Sequence, residues 1–81
     1  MKAKEIEERI TSQLSVILNR PRTEIKPEIP LHELGVDSLS FVELLVFIEK
    51  EFKIKLMESG ITKEDFRTLQ SLAKCINKRR G

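Results

Sequence analysis

The sequence has no Trp and no Tyr, one Cys, one His and only four Phe in 81 residues. The single Cys75 excludes an internal disulfide, and one Cys with one His falls short of the four ligands of a structural zinc site. Four phenylalanines leave few rings on which nucleobases could stack. Long apolar runs are also missing. The longest, Leu44 to Ile48, is five residues, against about 20 for a helix that crosses a bilayer. Stable membrane insertion is therefore not expected. Met1 to Arg9 is rich in charge and does not read as a secretory signal, and with a lone Cys75 the cytoplasm is the expected compartment. Three Gly and three Pro are too few for a collagen-like or low-complexity chain.

What is present suits one small helical domain. Hydrophobic residues make up 40% of the chain and charged residues 35%, enough apolar content for one core and too polar for a buried bundle. Charge is unevenly spread. Residues 61–81 carry six cations against two anions, with Lys78-Arg79-Arg80 at the end, while the rest is nearly balanced. Those last cations are expected to be a solvated helix end, frayed over 77–81.

Ile6, Ile10, Leu14, Ile17 and Leu18 form one apolar stripe, which predicts a helix from about Ala3 to Asn19, stopped before Arg20-Pro21. Pro21, Pro27, Pro30 and Gly35 forbid a regular helix over Arg20–Asp37. Ile25, Ile29, Leu31 and Leu34 are expected to fold this long loop back onto the helices. A second helix is predicted from Ser38 to Phe52 with Asp37 as N-cap. Ser59-Gly60 reads as a break, and Thr62–Phe66 as a short helical turn. Thr68 is the predicted cap of a last helix bearing Leu69, Leu72, Ala73 and Ile76. The expected core is Ile6, Ile10, Leu14, Leu34, Phe41, Leu44, Ile48, Phe52, Ile54, Leu69, Leu72 and Ile76. Cys75 is placed at its edge.

The second helix has two apolar faces. At 100° per residue, Phe41, Leu44, Leu45, Ile48 and Phe52 share one arc, which faces the core. Leu39, Val42 and Val46 share another, nearly opposite and flanked by Glu43, Glu49 and Lys50. Either the long loop covers this second stripe or it is exposed for a partner. Ser38 sits in the first turn, where backbone N–H groups and the helix dipole favour an anionic group such as a phosphate ester. Taken alone, Ser38 also fits an ordinary capping serine.

Leu34-Gly35-Val36-Asp37-Ser38-Leu39, followed by Ser40-Phe41-Val42-Glu43-Leu44, resembles the attachment site of acyl carrier proteins. The likeness extends to the chain length, the long first loop, Ile48-Glu49-Lys50-Glu51-Phe52 at the end of the second helix, and Thr68 before the last. It implies an all-α, four-helix bundle with three main helices and one short one, a single carrier domain over residues 1–81. By that resemblance Ser38 carries 4′-phosphopantetheine, from coenzyme A, through a phosphodiester. Asp37 helps seat the donor, and Leu39, Val42, Glu43 and Val46 meet partner enzymes. Those partners would be a phosphopantetheinyl transferase and acyl-loading and acyl-processing enzymes, acting on a monomer. The carrier itself would be no enzyme, with no catalytic residues and no metal, since the thiol belongs to the arm. The arm could also let a long acyl chain slip between the second and third helices.

Fatty-acid-synthase carriers usually show acidic residues where Ser40 and Lys50 stand, and they are acidic overall. With a pI near 8.9, this chain fits better as a specialised carrier in lipid or secondary-metabolite (polyketide-type) biosynthesis. Peptidyl carriers tend to have a second glycine where Val36 stands, which favours acyl over aminoacyl cargo; an aminoacyl or peptidyl carrier is the alternative. A small nucleic-acid-binding module is the distant one. It is opposed by Glu43, Glu49 and Glu51 against Lys50 on the helix that would meet phosphates. His32, Asp37 and Ser38 supply the residue types of a hydrolase triad. With Asp37 and Ser38 adjacent, a histidine has no room to bridge them.

Overall fold

The computed structural model describes residues 2–56, 62 and 64–80, Arg80 through its backbone alone. Three α-helices account for most of them: α1 (Ala3–Leu18), α2 (Ser38–Phe52) and α3 (Leu69–Arg80). Two 3-10 turns, Arg22–Glu24 and Leu31–Leu34, lie in the connection between α1 and α2. The described residues contain no strand, only an isolated antiparallel bridge between Pro30 and Thr68. The expected all-α fold is what the chain adopts.

Each helix ends for a local reason. α1 stops where Asn19 takes a left-handed conformation, φ 54°, one residue before the Arg20-Pro21 step. Asp37 caps α2 by accepting the Ser40 N–H at 2.8 Å. At the far end Lys53 is left-handed, φ 55°, and Glu49 accepts the Leu56 N–H at 3.1 Å. That bond turns the departing chain so that Leu56 is buried. α3 begins at a reciprocal cap. Thr68 Oγ1 accepts the Ser71 N–H at 3.0 Å, and Ser71 Oγ accepts the Thr68 N–H at 3.1 Å.

α1 is the helix on which both others pack. Ile6, Ile10 and Leu14 line its buried side and are fully enclosed, as are Leu44 and Ile48 of α2 and Leu69, Leu72 and Ile76 of α3. Ile25, Leu31 and Leu34 of the long connection complete the core and Ile29 packs half-buried against it, so the loop folds back onto the helices as expected. Two residues expected inside are only half-buried, Phe41 and Ile54. Phe41 turns instead to meet Phe66 edge-on, ring centroids 4.9 Å apart and planes at 84°. Leu56 and Ala73 are buried in the core, and Cys75 sits at 7% exposure.

The Ser59-Gly60 break lies outside the described residues. So do Ile61 and Lys63, which bear on the short helix expected over Thr62–Phe66. The described neighbours form turns there, with Asp65 N–H donating to Thr62 C=O and Arg67 N–H to Glu64 C=O. Thr62 donates both its N–H and its hydroxyl to the Asp65 carboxylate.

Two stability predictions arise from these contacts. Leu72→Ala removes a fully enclosed side chain and should lower the unfolding free energy by about 2–5 kcal/mol. For a domain of this size that is a large share of the total. A urea titration reads it as a lower midpoint. The second concerns acid. Hydrogen bonds from the Ser40 backbone, then from the Ser40 hydroxyl, hold the Asp37 carboxyl below its ordinary value of 3.8. A folded value below the unfolded one means this stabilisation is present above the unfolded value and is lost as pH falls through the folded one. Asp37→Asn keeps a capping oxygen without the charge, so its melting temperature should fall less steeply than that of the wild type on acidification. Some slope persists, because Thr62 lowers Asp65 in the same way, with help from Arg79 and Lys78.

Candidate attachment site

The chain reaches α2 through a bend that Gly35 makes possible. Its φ is 105°, a left-handed conformation costly for any residue with a Cβ. It ends the 3-10 turn of Leu31–Leu34 and reverses the chain, so that Val36 and Asp37 lead directly into Ser38. Leu31 and Leu34 anchor that turn in the core. The loop therefore delivers Ser38 to a fixed place on the surface, although the residue itself is exposed.

Asp37 and Ser38 are both exposed, and Ser38 makes no side-chain hydrogen bond within the described residues. The Asp37 carboxylate is turned inward to the Ser40 N–H, so the capping role falls to Asp37 and leaves the Ser38 hydroxyl free. Ser38 is the first residue of α2. Its surroundings combine orphan backbone N–H groups with the positive end of the helix dipole. A hydroxyl in that setting can carry an anionic ester without desolvating it.

Beside Ser38 lies an open groove of about 390 Å³. Leu31, Val36, Phe41 and Phe66 supply its apolar lining, and His32, Asp37 and Arg67 its polar lining. The walls come from distant parts of the chain, joined by the hydrogen bond from Leu31 N–H to Arg67 C=O, 2.9 Å. Phe66 and Arg67 are site residues that sequence reasoning missed. No local pattern marks them, because the pairing that brings them to Ser38 spans 36 residues of separation in the chain. His32, Asp37 and Ser38 do share the groove, yet no hydrogen bond joins His32 to either of the others among the described residues. His32 is well exposed and faces Glu33 at 3.9 Å. No triad is formed.

The second stripe of α2 is uncovered. Leu39 is 69% exposed, Val42 54% and Val46 46%, so the loop does not pack over it. Glu43 and Lys50 are exposed beside it. Glu49, the other flanking acid, is half-buried and tied to Leu56. Glu51 is paired with Arg9 of α1. No cluster of metal-ligating side chains occurs among the described residues, and no helix there is long and apolar enough to cross a membrane.

The exposed hydroxyl, the helix start and the adjacent groove fit a phosphate-linked arm. Comparison with known proteins meets that fit from an independent side. Residues 8–76 match the phosphopantetheine attachment site family. Aminoacyl carrier protein 2 of Bradyrhizobium diazoefficiens is 30% identical over 73 residues, covering 88% of this chain and 82% of that protein. Aminoacyl carrier protein 1 of the same organism is 28% identical over 58 residues, 72% of this chain and 64% of that one. A non-reducing polyketide synthase of Emericella nidulans is 36% identical over 74 residues, 91% of this chain but 3% of the synthase. The match over residues 8–76 takes in α2 whole, its capping Asp37 and the groove beside it, and by it this chain belongs to the acyl carrier protein family, whose members bear covalently attached 4′-phosphopantetheine.

Proposed function

We propose that this protein is a non-catalytic carrier whose arm is attached at Ser38. The observation that carries the reading is the free, exposed Ser38 hydroxyl at the start of α2, beside a carboxylate already engaged as the cap. In attachment, Ser38 Oγ exchanges its proton for the phosphopantetheinyl group of coenzyme A, and the bond from that phosphate to the nucleotide breaks. Asp37 helps seat the donor and keeps the first turn of α2 rigid. Once in place, the arm supplies a terminal thiol that holds cargo as a thioester. The chain's own residues anchor it, keep the core closed behind it and offer a recognition face.

That face is Leu39, Val42, Glu43 and Val46. Three exposed apolar side chains on one side of a helix cost solubility and contribute nothing to the core, which is what a docking surface requires. A phosphopantetheinyl transferase and acyl-loading and acyl-processing enzymes are the partners this face serves. The cargo is an acyl group in a dedicated lipid or secondary-metabolite pathway. Val36 ahead of Asp37 and the likeness to a polyketide synthase support acyl cargo. The near-full-length likeness to an aminoacyl carrier protein supports a second reading, with an amino acid as cargo.

Incubation with coenzyme A and a broad-specificity phosphopantetheinyl transferase should add the mass of one phosphopantetheine. Ser38→Ala should add none while melting normally; a folded wild type that gains no mass overturns the proposal. Val46→Asp should retain the melting temperature within a few degrees but slow arm attachment or loading about tenfold or more, read by intact mass against time. Unfolding of Val46→Asp would instead assign that stripe to the core.

A further inference from the structure

An anionic ester on Ser38 would share its groove with the Asp37 carboxylate. Two negative charges a few ångströms apart repel, and the hydrogen bonds to Asp37 hold its charge in place down to low pH. The groove supplies an opposing charge. Arg67 lines the same groove as Ser38, and His32 adds an imidazole that can donate a hydrogen bond. Arg67 is there because its backbone is clamped: its C=O accepts the Leu31 N–H, and its N–H donates to Glu64 C=O. Its guanidinium, in contrast, is loosely engaged. Among the described residues its one ion pair, to Glu64, is 3.9 Å long between side chains 66% and 82% exposed, a contact readily exchanged for a better anion.

Resting on the attachment at Ser38, we infer that Arg67, assisted by His32, is a positioning residue for the phosphodiester of the arm. It receives the phosphate across the groove from Ser38, offsets the Asp37 carboxylate, and so orients the arm over the apolar lining of Val36, Phe41 and Phe66. Guanidinium suits this task because it offers paired donors to phosphate oxygens. The Glu64 carboxylate competes for Arg67 before attachment and is released after it.

The test compares apo and arm-bearing protein, each verified by intact mass, in the wild type, Arg67→Gln and Arg67→Lys. Replacing the side chain leaves the backbone clamp to Leu31 in place, so all three should fold. At low ionic strength the wild type should gain melting temperature on attachment, partly from the helix terminus. Arg67→Gln should lose about half of that gain or more, and Arg67→Lys, which keeps the charge but not the paired donors, should fall between it and the wild type. The Arg67 Nε–H resonance should move on attachment, and the phosphorus resonance of the arm should sharpen in Arg67→Gln as the phosphate is freed. An equal gain in wild type and Arg67→Gln, with an unmoved Arg67 resonance, overturns the inference and leaves the attachment at Ser38 standing. Failure of Ser38 to accept the arm at all overturns both.

Discussion

The backbone hydrogen bonds that tie the α1–α2 connection to the entry of α3 determine where everything else lies. Leu31 N–H donates to Arg67 C=O at 2.9 Å, and Gln70 N–H to Pro27 C=O at 3.0 Å, with the Pro30–Thr68 bridge between them. The two short 3-10 turns of this proline-punctuated loop pair only part of its backbone, and Leu31 N–H and Pro27 C=O find their partners in a distant segment. Ile25, Leu31 and Leu34 fasten the loop from beneath by burial. The same ties form both walls of the groove and fix the approach of the chain to Ser38. Ordering such a loop costs backbone entropy, which the buried isoleucine and leucines offset.

α2 divides its labour by face. Leu44, Leu45, Ile48 and Phe52 hold it to the core, while Leu39, Val42 and Val46 remain in water. Its charges are divided as well. Glu49 secures the exit of the helix and Glu51 pairs with α1, so Glu43 is left as the acid displayed beside the apolar stripe. Ser38, the proposed attachment residue, lies exposed at the start of the helix, outside both sets of contacts.

Much of this was legible in the residues. The ends of α1 and α2, the Asp37 cap and the two faces of α2 all follow from short-range pattern: Pro21 after Asn19, Asp37 before Ser38, apolar residues three and four apart. The Asp37-Ser38-Leu39 motif at the start of α2 stood out for the same reason. What pattern could not deliver was anything created by pairing across the chain. Phe41 has the spacing of a core residue, yet Phe66 draws its ring to the groove. Arg67 carries no motif, and its place in the groove with Ser38 depends on backbone pairing across the chain, above all the hydrogen bond from Leu31. The exposure of the second stripe depended likewise on whether the loop lay across it, a question of tertiary contact.

The uncovered stripe is short. From Leu39 to Val46 is seven steps along the helix, two turns and about 10 Å. An area of that length, apolar but narrow, is well below what a long-lived complex buries. It also has room for one visitor at a time. If partners dock on α2 as proposed, they must take turns, each leaving before the next arrives, and the order of processing is then set by competition for two turns of helix and how quickly each occupant lets go.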